Sequence, residues 1–184
     1  LSLMVRGAAL LAEHGASERA VDTLRAALEL RDDHPEALAR LDRALSALGY
    51  HEELAGVLER RAAVAEYDHD RVELLRRLAR LYEEVLARPE DAETAWKGLL
   101  EAEPGDKEAL SRLSRVYEAS GSTRELIDVL ERQVEASLDE QERRDLRMQL
   151  ANLQRETMKD RAAEIDVLRA LLMDSPSDDD ALAA

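Results

Sequence analysis

The side chains best suited to recognition chemistry in this sequence are arginines that recur at helical spacing. Arg40 and Arg43 lie three residues apart, and Arg112 and Arg115 repeat that spacing 72 residues later. A guanidinium is a planar fork of donors that matches the two oxygens of a carboxylate. If the fold brings these arginines onto one surface, that surface attracts an acidic segment. The full predicted set is Arg40, Arg43, Arg76, Arg80, Arg112, Arg115 and Arg147.

The same arginines have a second interpretation, as an ordinary solvated face. Arginine is the main cation of this chain, and several arginines precede or follow glutamate at the i, i+4 spacing, as Arg80 and Glu84 do. Exposed pairs of this kind contribute only about 0.3–0.5 kcal/mol each. The sequence leaves both interpretations open.

The other side chains that could do chemistry lack the spacing that it needs. The four histidines, His14, His34, His51 and His69, form no His-Glu-x-x-His pair, and the acidic run at 178–180 lacks the spacing of a calcium loop. No Gly-rich phosphate loop, Gly-x-Ser-x-Gly elbow or cysteine occurs. We therefore expect no enzymatic activity, no cofactor and no metal.

Composition narrows the classes of fold and partner. The 184 residues contain 26 basic and 41 acidic side chains, a formal charge of −15, which argues against nucleic acid or an anionic membrane as the main partner. Aromatic residues make up 3% with no Phe, which disfavours a β-sandwich. No apolar run is long enough for a membrane span. The excess of arginine over lysine suggests a high-GC bacterial source, and we expect a cytoplasmic protein.

Apolar residues recur at three- and four-residue steps almost throughout, as the stripe Leu74, Leu78, Leu81 and Val85 illustrates. This spacing is typical of amphipathic helices, and Gly or Pro separates successive stripes. The pattern predicts ten helices and no strand. They lie near 2–14, 18–31, 36–48, 51–66, 71–87, 91–102, 107–120, 123–137, 140–157 and 161–174.

The predicted helices repeat with a fixed offset of 72 residues. This offset relates Gly49 to Gly121 and Pro104 to Pro176, and it carries Glu36-Ala-Leu38 onto Glu108-Ala-Leu110. Each 72-residue unit holds four helices, or two hairpins of roughly 36 residues, a period typical of helical solenoids. A continuous coiled coil is disfavoured by the regular Pro and Gly breaks, and a compact bundle by the constant offset.

The hairpins resemble the tetratricopeptide repeat family. That family has a Leu-small pair and then an aromatic residue on helix A, and an early Ala, a bulky residue and a following Pro on helix B. The best match here consists of Leu75, Leu78-Ala79, Tyr82, Ala92, Trp96 and Pro104. The hairpin that begins at Leu38 departs most, because Asp42 occupies the small position and Leu54 the Ala position.

The resemblance implies an all-α fold, a right-handed superhelical α-solenoid of about five antiparallel helix hairpins. We expect a single solenoid over 1–184, with hairpins near 1–34, 35–69, 70–105, 106–138 and 139–176 and a further helix starting at 178–184. The first residue is not Met and the last residues resemble a helix start, so we expect a piece of a longer repeat protein. Its ends would then favour weak end-to-end self-association of an otherwise monomeric chain.

By the same resemblance, the A helices line a concave groove, and the function is a non-catalytic scaffold that presents this groove to a protein or peptide partner. The arginines would make the groove suitable for an acidic segment. An architectural spacer between flanking domains is one alternative. A ligand-sensing or enzyme-associated regulatory module is the other, and a buried polar cluster near Trp96 would favour it. Asp42 departs from the repeat pattern as functional sites sometimes do, and a helix shifted by one residue would explain it equally well.

Overall fold

The computed structural model describes residues 1–183, and within them every element of regular secondary structure is helical. The helices end where Gly, Pro or capping residues interrupt the apolar stripes. Their bounds are α1 Ser2–Glu13, α2 Ser17–Leu30, α3 Pro35–Leu48, α4 His51–Ala63, α5 Asp68–Arg80, α6 Pro89–Ala102, α7 Lys107–Ser120, α8 Thr123–Ala136, α9 Glu140–Leu153, α10 Arg161–Asp174 and α11 Asp179–Ala183. The expected all-α class is confirmed.

The 72-residue repeat is visible in how α3 and α7 begin and end. Both helices end at a left-handed glycine, Gly49 with φ 73° and Gly121 with φ 71°. At their starts, His34 Nδ1 accepts from the Ala37 N–H at 3.2 Å, and Asp106 Oδ1 accepts from the Ala109 N–H at 2.8 Å. A left-handed residue after a helix favours glycine, and a side-chain acceptor satisfies a free N–H of the first turn.

Helices α5 and α9 end differently, each in a π-helical turn, at Leu81–Val85 and Gln154–Met158. The chain then leaves the turn through a left-handed residue that is not glycine, Ala87 with φ 52° or Lys159 with φ 54°. The Arg88 N–H donates to the Tyr82 carbonyl at 2.8 Å, and the Asp160 N–H to the Gln154 carbonyl at 2.9 Å. The left-handed residues and these hydrogen bonds are 72 residues apart, whereas the π-helical turns themselves are 73 apart.

The chain forms two compact units, an N-terminal unit of Leu1–Glu103 and a C-terminal unit that starts at Pro104. In the N-terminal unit each of α1 to α5 packs on the next helix, and α1 also contacts α3. Its core consists mainly of leucine and alanine with one fully buried tryptophan. The largest buried side chains are Leu24, Leu38, Leu41, Leu45, Leu58, Trp96 and Leu99.

The C-terminal unit is built in the same way, with α7 to α11 packing in sequence order. Leu110, Leu113 and Leu130 are fully buried near its start. Ala151, Leu168, Leu171 and Ala181 form the core near its end. The single solenoid with five hairpins stays a prediction, and the predicted last helix reaches Ala184, which lies outside the described residues.

Among residues 1–183, no helix combines the length and the apolar character that crossing a bilayer would require.

Candidate functional site

Two arginines of the predicted set are exposed and have no ion-pair or hydrogen-bond partner among residues 1–183. Arg43 lies on α3 and Arg115 on α7, at positions related by the 72-residue offset. Because α3 and α7 have equivalent bounds and caps, each arginine occupies the same place on its own helix. In each unit, one guanidinium with free donors is therefore available to a partner.

The other predicted arginines interact within the chain. On α3, Arg40 donates to Glu36 from Nε at 3.1 Å and from Nη2 at 2.9 Å. On α5, Arg76 pairs with Glu73 and lies 3.9 Å from Glu103. Arg80 and Arg112 also have partners within the chain. These side chains would have to exchange an internal contact for any contact with a partner.

Arg147 of α9 is largely buried, with 17% of its side chain exposed, and it donates to Asp174 at 2.5 Å. This hydrogen bond, together with the charge of Arg147, holds the pKa of Asp174 below its usual value. The pair fixes the end of α10 against α9. Its geometry is that of a structural contact, because the guanidinium already faces a carboxylate.

A charged cluster that joins three helices lies around Asp42, which is only 2% exposed. Its Oδ1 accepts from Arg77 Nη2 at 2.8 Å and from Ser46 Oγ at 3.2 Å. Its Oδ2 accepts from Arg77 Nη1 at 3.0 Å and from Arg61. Since Asp42, Arg61 and Arg77 belong to α3, α4 and α5, the cluster ties these three helices together.

Two opposing effects act on the Asp42 carboxylate. Burial favours the neutral acid, but the hydrogen bonds and charges of Arg77 and Arg61 outweigh it and hold the pKa of Asp42 below its usual value. Asp42 is therefore ionised at neutral pH. Because two guanidiniums face one carboxylate, the cluster carries one excess positive charge.

The aromatic residues near α6 have their polar atoms satisfied within the N-terminal unit. Trp96 is buried, and its Nε1–H donates to Glu83 Oε2 at 3.3 Å. The Tyr82 hydroxyl donates to Glu59 Oε1 at 2.6 Å, and burial together with this bond raises the pKa of Tyr82. The Arg88 guanidinium lies 4.9 Å from the centre of the Tyr82 ring. These contacts explain Trp96 and Tyr82 as residues of the packed core.

Residues 1–183 contain no group of three or more histidine and acidic side chains arranged to hold a metal ion. His34 caps α3, as described above, and His14 Nδ1 lies 2.7 Å from the Leu10 carbonyl oxygen. Both histidines thus have local structural contacts at helix ends.

Sequence reasoning noticed Asp42 but did not connect it with Arg61 and Arg77. The sequence contains a signal for this contact, because the three positions depart together from the 72-residue repeat. At the offset of 72, Asp42, Arg61 and Arg77 correspond to Ser114, Gln133 and Gln149. Three charged residues are thus replaced together by neutral polar ones, a pattern that indicates mutual contact.

Comparison with known proteins supports the resemblance over one hairpin. Residues 109–144 match the family model described as Tetratricopeptide repeat. This match begins within α7 and ends within α9. No functionally curated protein matches the sequence.

Several solved structures are similar over most of the chain. YrrB, described as a TPR protein with an unusual peptide-binding site, is 17% identical over 98% of this chain and 89% of its own, with a TM-score of 0.47. MamA from Desulfovibrio magneticus RS-1 is 16% identical over 97% and 96%, with a TM-score of 0.45. A tetratricopeptide repeat protein from Parabacteroides merdae ATCC 43184 is 18% identical over 96% and 67%, with a TM-score of 0.49.

Tetratricopeptide repeats are helical scaffolds for protein–protein interaction. The matched repeat at 109–144, the hairpins of the required length and the residues quoted above agree with one another. The match identifies a tetratricopeptide repeat at residues 109–144, and the other helix pairs within residues 1–183 are similar to that repeat in length and spacing.

Proposed function

We propose that this chain is a non-catalytic scaffold that binds acidic segments of a protein partner on its A helices, through α3 and α5 in the N-terminal unit and through α7 and α9 in the C-terminal unit. The observation that carries the proposal is the pair Arg43 and Arg115, which are exposed, without internal partners and equivalent in the repeat. Guanidiniums with free donors can bind carboxylates without breaking an existing contact. They would also attract an acidic segment locally, despite the charge of −15.

The remaining predicted arginines have a secondary role in this proposal. Arg40, Arg76, Arg80, Arg112 and Arg147 add positive charge to the A helices, but each already interacts within the chain. An exposed pair such as Arg40 with Glu36 is weak enough to rearrange when a partner binds, whereas the pair of Arg147 with Asp174 stays as a structural contact. We propose the cytoplasm as the compartment, and a monomer with weak end-to-end association as the oligomeric state. Leu3 and Leu10, both exposed on α1, support the association.

The test is capture of partners from a bacterial lysate by the wild type and by the double variant Arg43→Glu/Arg115→Glu. The matched control is Arg19→Glu/Arg124→Glu. Arg19 on α2 and Arg124 on α8 are also exposed and without partners among residues 1–183, but they lie on B helices. Both variants change the net charge equally. Circular dichroism confirms that each keeps its helical content.

We expect a partner that the wild type and the control capture and that the A-helix variant loses by at least about tenfold in affinity. A partner retained equally by all three proteins would place binding elsewhere and contradict the role of these arginines. Absence of any partner would favour the architectural spacer.

A further inference from the structure

A cavity of about 600 Å³ opens in the N-terminal unit where α3, the end of α4 and the start of α5 meet. We call it the mixed-charge cavity. One wall is apolar and is formed by Pro35, Ala39, Val64, Ala65 and Leu74. A cavity of this size and wall composition accommodates one or two side chains of a bound segment.

Arg61 and Arg77 line the positive side of the mixed-charge cavity. Their shared carboxylate, Asp42, is fully committed to them and to Ser46. Side-chain exposure is 26% for Arg61 and 47% for Arg77, so both guanidiniums reach solvent. Asp42 holds the two cations side by side and compensates only one of them. The excess charge is therefore fixed in position before any ligand arrives.

Glu66, Tyr67 and Asp70 also line the mixed-charge cavity, and the two acids supply its negative charge. Both carboxylates are exposed and have no ion-pair partner among residues 1–183, and Tyr67 is 68% exposed. An exposed ring that lines the same cavity as two free carboxylates suits a cationic side chain, which the ring can also contact through its face. The two other acids of the cavity differ, because Glu36 pairs with Arg40 and Glu73 with Arg76.

The C-terminal unit contains a counterpart that lacks the positive side. A cavity of about 520 Å³ lies at the start of α9, and its lining includes Gln149 where the N-terminal unit has Arg77. Its lining residues are Asp139, Gln141, Glu142, Asp145, Leu146 and Gln149. Both units thus have a cavity at this position of the repeat, whereas the arginine pair occurs only in the N-terminal unit.

We propose that the mixed-charge cavity binds a partner segment that carries an acidic and a basic residue close together. The acidic side chain binds Arg61 and Arg77, and the basic side chain binds Glu66 and Asp70 over the ring of Tyr67. A purely acidic segment would be repelled by Glu66 and Asp70, and a purely basic one by the arginines. This inference rests on the proposed function, because it names the chemistry that one part of the same scaffold recognises.

The probes are capped synthetic peptides in a serine–glycine background that carry one Glu and one Lys at several separations. Matched peptides carry two Glu, two Lys or neither. Binding is measured by calorimetry, and the site by chemical-shift changes of Tyr67 and Leu74, with Leu146 of the C-terminal counterpart as an internal reference. We expect one separation to bind at least about tenfold tighter than either single-charge peptide.

The matched variant is Asp42→Ser/Arg61→Gln/Arg77→Gln, which introduces the side-chain types that the C-terminal unit has at the equivalent positions. It should lose the preference for the mixed peptide. Glu66→Gln/Asp70→Asn changes only exposed residues, so it tests the cationic side even if the triple variant fails to fold. To Glu66→Gln/Asp70→Asn, the mixed peptide should bind no more tightly than the two-Glu peptide does.

Two results would overturn the inference: equal binding of mixed and single-charge peptides, or undiminished binding to Glu66→Gln/Asp70→Asn. Neither result affects the proposed function, which depends on Arg43 and Arg115. Conversely, peptide binding at the cavity that persists in Arg43→Glu/Arg115→Glu, together with partner capture unaffected by that variant, would overturn the proposed function alone.

Discussion

Two residues in this protein adopt a backbone conformation that their side chains disfavour. Ala87 and Lys159 have φ values of 52° and 54°, and they lie two residues and one residue after the π-helical turns that follow α5 and α9. A Cβ atom in the left-handed region costs roughly 1–2 kcal/mol, and glycine avoids this cost. The equivalent positions after α3 and α7 are glycines, so the chain uses both solutions at its helix ends.

Ala87→Gly and Lys159→Gly should each stabilise the protein by about 0.5–1 kcal/mol. The relief of the left-handed conformation exceeds the extra entropy that glycine gives the unfolded chain, about 0.4–1 kcal/mol. Ala119→Gly, at a helical position of α7, is the control and should destabilise. Thermal unfolding measures all three. A lower midpoint for both left-handed variants would contradict this explanation of the helix ends.

A buried acid on α10 shows what a hydrophobic pattern in the sequence cannot predict. On α10, Ala163 is half-buried, whereas the neighbouring Glu164 is fully buried. Glu164 accepts from Arg161 at 2.6 Å and lies 3.8 Å from Arg155. A buried acid is invisible to a hydrophobic pattern, because its burial depends on arginines that the fold brings near.

At the scale of elements, the Asp42 cluster decides how firmly α3, α4 and α5 are joined. Removing the cations from a buried carboxylate is far more costly than removing the whole ionic group, because an unpaired buried charge remains. The double variant Arg61→Gln/Arg77→Gln should therefore be less stable than the triple variant that adds Asp42→Ser. We expect a difference of up to about 3 kcal/mol at pH 7, measured by urea unfolding.

The pH dependence separates this mechanism from simple loss of packing. In the wild type the pKa of Asp42 is lowered, so its stabilisation is present above the unfolded pKa and is lost as pH falls through the folded value. In the double variant burial acts alone and raises this pKa, so protonation relieves the buried charge. The deficit of the double variant relative to the triple variant should therefore shrink as pH falls. A pH-independent deficit would contradict the mechanism.

The elements themselves were largely predictable, for a physical reason. Helices such as α7, predicted near 107–120 and observed at Lys107–Ser120, follow from local apolar spacing and from caps such as Asp106 and Gly121. The cluster of Asp42, Arg61 and Arg77 was not predicted, because contacts 19 and 35 residues apart depend on how the hairpins pack. The mixed-charge cavity was missed for the same reason.

At the scale of the whole molecule, an excess of 15 negative charges opposes compactness. Part of this repulsion has an identifiable local source on α8. Glu131 and Glu135 are both exposed, have no ion-pair partner among residues 1–183 and are separated by four residues, which places them on the same face of the helix. Like charges at this spacing destabilise a helix by about 0.2–0.5 kcal/mol.

Glu135→Lys should raise the thermal midpoint at low salt, because it converts the repulsion from Glu131 into an i, i+4 attraction of about 0.3–0.5 kcal/mol and reduces the net negative charge by two. Sodium chloride should stabilise the wild type, since the screening length falls from about 30 Å at 0.01 M to about 8 Å at 0.15 M. The variant should respond less to salt. Glu135→Gln removes the repulsion without creating a pair and should lie between the two. If all three proteins gained equally from salt, the repulsion would have to be spread over many acids, and this pair would not be a distinct source of it.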